Sequence, residues 1–172
     1  MRGVYSLNVP VPGRVAARAT ELARELPQAR GRVRGEHTLG VKRLAADRDA
    51  DYNRIEARTR ELLAGQPAFE ARIDRVETFE DAPIGTSPVV YFAVDSPGLI
   101  DLHERLVGEL DSVSDAIEGE SYVPHVTIAR GGSSEMADRV TGEIEPIQWT
   151  VTELQFWDAG HNQPISTVSL PA

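Results

Sequence analysis

The residues of this sequence best suited to chemistry are His125 and Thr127, which stand two apart in Tyr122-Val123-Pro124-His125-Val126-Thr127-Ile128-Ala129-Arg130. Val126 and Ile128 alternate with them, the period-two pattern of a half-buried strand, and Pro124 is tolerated at the first residues of such a strand. Side chains two apart on a strand point the same way, so His125 and Thr127 would share one face while Val126 and Ile128 pack inward. An imidazole able to take or give a proton then sits beside a hydroxyl able to hold a phosphate oxygen. Read for packing alone, the same stretch is a core strand that contains one histidine and one threonine.

The rest of the composition narrows the chemistry. A chain of 172 residues with 41% hydrophobic content is long enough for one substantial domain or two small lobes sharing a core. It has no cysteine, which excludes a disulfide framework, a thiolate metal site and a cysteine nucleophile. Chemistry must come from histidine, carboxylates and hydroxyls. No apolar run approaches the roughly 18 residues of a membrane span, and the first residues read as a strand rather than a signal peptide. A cytoplasmic location is the expectation.

Formal net charge is −9, from 18 basic and 27 acidic residues, and Lys42 is the sole lysine. Acid excess with almost no lysine resembles the proteins of salt-loving archaea, where charges are screened over about 3 Å at 1 M salt. A GC-rich genome favours arginine in the same way. Against this background, residues 30–43 hold Arg30, Arg32, Arg34, Lys42 and Arg43 with only Glu36 opposing them. That patch is where an anion is expected to land.

These groups need elements to position them. Val4 to Val9 predicts a first strand, closed by Pro10 and by Pro12-Gly13. Val15, Ala19, Leu22 and Leu26 recur at helical spacing until Pro27, which predicts a helix over 14–26. A strand region from Arg32 to Leu44 follows and contains Glu36-His37-Thr38-Leu39. Asp49 or Asp51 is expected to cap a second helix, with Tyr52, Ile55, Thr59 and Leu62 as its buried stripe and Gly65 and Pro67 as its stop. Strands over 69–79 and 88–95 come next, joined by a turn-rich loop over 80–86.

From Val90 the pattern begins again, since Val90-Tyr91-Phe92-Ala93-Val94 echoes Val4-Tyr5-Ser6-Leu7-Asn8-Val9, down to a following Pro-Gly. A helix is expected with Ser96 as N-cap, Pro97 at its first position and Leu99, Leu102, Leu106 and Leu110 as its stripe. The strand with His125 follows, then a short helix from Ser133 or Ser134, a strand from Ile147 to Trp157 and a last strand from Ile165 to Leu170. Two faint copies of one strand-helix-strand-helix-strand-strand unit are implied. Two such lobes facing each other would enclose a cleft to which equivalent strands contribute equivalent residues.

Two lobes, the His-x-Thr-x motif at 125–128 between Pro124 and Arg130, and a related stretch in the first half resemble the 2H phosphoesterase superfamily, in particular its 2′-5′ RNA ligase and cyclic phosphodiesterase branch. The resemblance implies an α+β fold of two pseudo-symmetric antiparallel sheets facing a central cleft, with helices outside. It implies a single bilobal domain over 1–172, with a first repeat at about 1–87, a second at about 88–172, and room for strands to exchange between lobes. It further implies that one histidine from each lobe serves as base and acid at a 2′,3′-cyclic phosphate or 2′-5′ bond. Hydroxyls would hold the phosphate oxygens, with no metal and no nucleotide cofactor. Substrates would be RNA ends or cyclic nucleotides, and the protein a monomer that binds no membrane.

The first motif departs from this pattern. Matching Thr38 to Thr127 puts Glu36 where His125 stands and His37 at the variable position. Strand alternation then groups Glu36, Thr38, Gly40 and Lys42 on one face and His37, Leu39 and Val41 on the other. The alternative is a β-bulge beside Gly35 or Gly40 that turns His37 into the cleft. The Glu36 register needs no bulge and keeps the threonines equivalent. Two imidazoles near pKa 6.5 suit a base and an acid flanking one phosphodiester, whereas a glutamate carboxyl ordinarily starts near 4.3. Loss of one such partner typically costs about 10²–10⁴-fold in rate.

Around these groups, Lys42 is expected to stabilise the charge on a pentacoordinate phosphate, with Arg130 or Arg34 adding bidentate contacts and Tyr122 offered to a base. His103 reads as a surface residue of a charged helix and His161 as part of a hairpin loop. No histidine pair at helical spacing points to a metal site. Three functions fit: a metal-independent phosphodiesterase that opens 2′,3′-cyclic phosphates, a protein that binds RNA ends or nucleotide phosphates without useful turnover, and an enzyme of a related small phosphoester such as an ADP-ribose cyclic phosphate.

Overall fold

A computed structural model of the protein describes residues 3–33 and 35–172. The chain opens with β1 (Gly3–Val9), whose Leu7 and Val9 are buried, and turns at Pro10 to Pro12 into α1 (Gly13–Ala23). α1 buries the predicted stripe of Val15, Ala19 and Leu22. A two-residue β2 (Arg30–Gly31) and β3 (Leu39–Ala46) follow, so the predicted strand from Arg32 enters a ladder with β1 only at Leu39. α2 (Asp49–Leu63) has Arg48, rather than an aspartate, at its N-cap.

The middle of the chain keeps close to its pattern, with β4 (Phe69–Phe79), β5 (Val89–Asp95) and α3 (Pro97–Val107). Proline at the first helical position needs no amide hydrogen there, and the Ser96 hydroxyl accepts from the Leu99 N–H at 3.2 Å. A single helical turn (Gly119–Ser121) precedes β6 (His125–Arg130), and α4 (Ser134–Val140) follows it. The predicted strand from Ile147 to Trp157 is two strands, β7 (Gly142–Val151) and β8 (Glu153–Asp158), before β9 (Gln163–Ser169). The apolar positions change from odd (Ile147, Trp149, Val151) to even (Leu154, Phe156) across Thr152, a change of parity that a continuous strand with one buried face does not make.

All pairings are antiparallel, in the order β7-β4-β5-β6-β3-β1-β8-β9, with β2 beside β6. The two halves of this sheet meet at β3 and β6, where one register pair, Leu39 with Val126, joins them. β4 pairs with β5 and β7 in one half, and β8 and β9, from the end of the chain, extend the other beyond β1. Helices pack on the face that carries Leu39, Val126 and Ile128, forming the main core. The other face carries a separate apolar group of Val89, Tyr91 and Ala93 with Phe79, and opens into a cleft where the halves meet. Among the described residues, no helix is long and apolar enough to cross a membrane.

Candidate active site

β6 brings its alternation to the centre of the sheet. Val126 and Ile128 are buried, while His125 and Thr127 are half-buried and line the cleft, opposite Ala93 and Tyr91 of β5. The His125 ring meets Phe79 and Tyr91 edge-on, at 5.6 and 5.5 Å between centroids, and those two rings stack on each other. Nδ1 of His125 lies 2.7 Å from the Val123 carbonyl oxygen. A carbonyl only accepts, so Nδ1 carries the hydrogen and Nε2 keeps its lone pair. Burial lowers the pKa of this imidazole below its usual value, and the Arg130 cation pushes the same way against the opposing effect of the Val123 carbonyl. His125 is therefore a neutral base at neutral pH.

Across the junction, Glu36 and Thr38 line the same cleft, and His37 between them does not. His37 is 8% exposed and neither ring nitrogen has a hydrogen-bond partner. Its burial, helped by the Arg32 cation, lowers its pKa and keeps the ring neutral. The register that would turn His37 into the cleft is thus not the one adopted: burial alternates over Glu36, His37, Thr38 and Leu39, with His37 and Leu39 buried. Arg34 lies outside the described residues.

The bulge comes one residue later, and it exchanges two cations. On β1 the successive residues Leu7 and Asn8 pair with Lys42 and Gly40, which leaves Val41 as the extra residue. Alternation is reset, so Arg43 pairs with Ser6 on the cleft face and Lys42 pairs with Leu7 on the buried one. Lys42 is 2% exposed. Its ammonium donates to the carbonyls of Arg43 (2.7 Å) and Asp111 (3.0 Å) and to the Glu118 carboxylate. Lys42 still borders the cleft where it was expected, but all three of its donors are engaged inside the protein, which leaves none for a phosphate.

β6 repeats the device. Val90 and Tyr91 pair with Ala129 and Thr127, so Ile128 is the extra residue. Without it Ala129 would share the face of Thr127; with it Arg130 does, and Arg130 lines the cleft. Its Nη1 donates to the Ile84 carbonyl at 2.7 Å. Burial and then the cations of Arg32 and Arg43 lower the pKa of this guanidinium, which brings the three arginines into one electrostatic group.

Tyr122 lines the cleft, but its hydroxyl donates to the Gly40 carbonyl at 2.7 Å and its ring stacks on His103 at 3.7 Å. One ring face and the hydroxyl are thus already used. His103, expected at the surface, is 1% exposed. Its Nδ1 donates to the Val41 carbonyl (2.6 Å) and its Nε2 accepts from the Gly119 N–H (3.0 Å). Charged neighbours in the sequence of α3 concealed a residue on its apolar stripe, one position from Leu102. His161 stays in the β8–β9 turn, where its Nδ1 lies 2.7 Å from an Asp158 carboxylate oxygen.

The cleft measures about 520 Å³, within the usual range for small-ligand sites. Its walls combine Phe79, Ile84 and Trp157 with Ser6, Asn8 and the three arginines. Phe79 and Glu118 were not singled out by sequence reasoning, and Arg32 and Arg43 were named only as members of the basic run where an anion was expected. Among the described residues, no group of three histidine, aspartate or glutamate side chains is arranged to hold a metal ion. One cleft thus gathers two hydroxyls, a neutral imidazole on β6 and a carboxyl on the segment that leads into β3.

The sequence matches the family model of the 2′-5′ RNA ligase superfamily over residues 11–163. E. coli LigT complexed with 3′-AMP has a similar structure, at 18% identity, 100% coverage of both chains and a TM-score of 0.69. A structure described as a phosphoesterase is similar at 17% identity, 98% coverage of each chain and a TM-score of 0.66. TT0787 of Thermus thermophilus is similar at 18% identity, covering 99% of this chain and 95% of its own, with a TM-score of 0.58. No curated protein sequence matches.

Proposed function

The chain belongs to the 2′-5′ RNA ligase superfamily, and on that premise we propose that it is a phosphodiesterase that opens 2′,3′-cyclic phosphates on RNA ends or nucleotides by general acid–base catalysis. The observation that carries this reading is one cleft lined by His125 and Thr127 from β6 and by Glu36 and Thr38 from the approach to β3. Nε2 of His125 takes a proton from water as the water oxygen bonds to phosphorus. One bond from phosphorus to a ribose oxygen breaks, and that oxygen receives the proton of Glu36 in its carboxylic acid form, which the neighbouring phosphate anion favours in the complex. Thr38 and Thr127 donate to the non-bridging oxygens, and Arg130 offsets their charge. The description of E. coli LigT in complexes with 3′-AMP, ATP and NADP+ supports nucleotide phosphates as the ligand class.

The carboxyl of Glu36, where the resemblance leads one to expect a second imidazole, favours a second reading: a protein that binds such ends and turns them over slowly or not at all. Cleavage of 2′,3′-cyclic nucleotides and of a short RNA with a cyclic-phosphate end, at low and at molar salt, separates the two. Turnover in the wild type that His125→Ala and Glu36→Gln each reduce supports the enzyme. Absence of turnover together with phosphate binding weakened by His125→Ala supports the binding protein.

A further inference from the structure

The cleft holds more positive charge than one phosphate needs. Arg32, Arg43 and Arg130 all line it, and none of them has an ion-pair partner among the described residues. Elsewhere on the molecule Arg18, Arg48, Arg58, Arg60, Arg72 and Arg75 are each matched to a carboxylate, while Arg14, Arg24, Arg30, Arg54, Arg105 and Arg139 have no such partner among the described residues; what sets the three apart is that they share one hollow. In a chain of net charge −9, three unmatched guanidiniums in one hollow need a reason. Two of them reach it through bulges that break alternation, the extra Val41 for Arg43 and the extra Ile128 for Arg130. Bulges that re-aim a side chain are common beside active sites. Arg32 is held against the same strand, since its backbone N–H donates to the Ile128 carbonyl at 2.9 Å. Mutual repulsion of the three costs free energy until an anion joins them.

We propose that Arg32 and Arg43, beside the Arg130 that serves the first phosphate, form a second anion subsite that takes a further phosphate of the same ligand. The preferred ligand then carries two phosphates, as in a strand end with an internal phosphodiester or a nucleotide with a second terminal phosphate. A nucleoside cyclic phosphate alone leaves the subsite empty. Arginine suits this task because its planar fork contacts two phosphate oxygens at once. The inference rests on the phosphodiester reading for the first phosphate.

The test compares three ligands: a mononucleoside 2′,3′-cyclic phosphate, the same nucleotide with a 5′-phosphate, and a dinucleotide ending in the cyclic phosphate. Binding is measured by calorimetry with the corresponding 3′-phosphate ligands, and kcat/KM with the cyclic ones, for the wild type, Arg32→Gln, Arg43→Gln and Arg43→Lys. The expected result is a preference of about tenfold or more for two phosphates in the wild type, the usual size of a charge-assisted contact. Each glutamine substitution should remove much of that preference and reduce the salt slope of binding by about one. Arg43→Lys, which keeps the charge without the fork, should fall in between, and an unchanged thermal midpoint shows that the variants are folded. Preference for the dinucleotide alone identifies the internal phosphodiester, and preference for the 5′-phosphate identifies a terminal one. No preference in the wild type, or equal weakening of all three ligands by the substitutions, overturns the inference. Binding requires no turnover, so a protein that prefers two phosphates without cleaving refutes only the catalytic reading, and one that cleaves without preference refutes only this inference.

Discussion

The Lys42 ammonium meets the Glu118 carboxylate inside the protein, with side chains 0% and 3% exposed, and ties β3 to the segment that leads into His125. Burial works against a charged Glu118, but hydrogen bonds from Lys42 and from the N–H groups of Ser114 and Val113 outweigh it and lower the pKa of the carboxyl. The same carboxylate accepts from the Ser112 hydroxyl at 3.1 Å. Beside it, His103 joins Val41 to Gly119, and Tyr122 reaches Gly40. The strand after Glu36 and Thr38 and the segment before His125 and Thr127 are thereby held in one unit.

Removing one partner of this pair leaves the other buried and uncompensated. Glu118→Ala is expected to cost about 3–5 kcal/mol of stability in chemical denaturation. Lys42→Met combined with Glu118→Leu should recover a large part of that loss, since a buried pair replaced by apolar groups is often neutral. A double variant as unstable as the single one would show that the hydrogen bonds to the 112–114 backbone carry the effect instead.

Glu36 and His37 separate in their roles. Glu36→Gln should lower turnover by about 10²–10⁴-fold if its carboxyl transfers the proton. His37→Leu should leave turnover within a few-fold and raise stability by about 1 kcal/mol, because two buried nitrogens without partners are replaced by hydrocarbon. Steady-state rates and urea midpoints of both variants check this, and the reverse pattern would place His37 in the cleft.

His37, His103 and His125 all have lowered pKa values, with burial as the first cause in each. The unfolded chain therefore binds more protons than the folded one below about pH 6.5, the ordinary histidine value. Their contribution to stability is complete above that pH and is lost as pH falls toward the lowered folded values. Thermal midpoints are expected to drop across this window, with a shallower drop in His37→Leu. Turnover should fall on the same acid side, as His125 becomes protonated and loses its base function.

Gly85 has φ of +82°, and a Cβ there would lie 2.7 Å from Nη1 of Arg130. Gly85→Ala should cost about 1–2 kcal/mol from backbone conformation. Arg130 would also have to leave the Ile84 carbonyl. Phosphate affinity measured by calorimetry should then change, whereas a surface glycine with open space, such as Gly65, should show only the stability cost.

Much of this protein was determined by the sequence alone. The alternation of Val126 and Ile128 with His125 and Thr127 placed the motif on a strand with one open face, since a side-chain period of two leaves no other arrangement once one face is apolar. The same period grouped Glu36 with Thr38, and the stripes of α1 and α3 followed helical spacing. The tertiary structure decided what depends on a partner strand. Bulges at Val41 and Ile128 are defined by what lies opposite them, so the exchange of Lys42 for Arg43 and the turning of Arg130 into the cleft required the register with β1 and β5. His103 became a buried residue because Val41, Gly119 and Tyr122, distant in sequence, converge on it, and such contacts leave no local period to read.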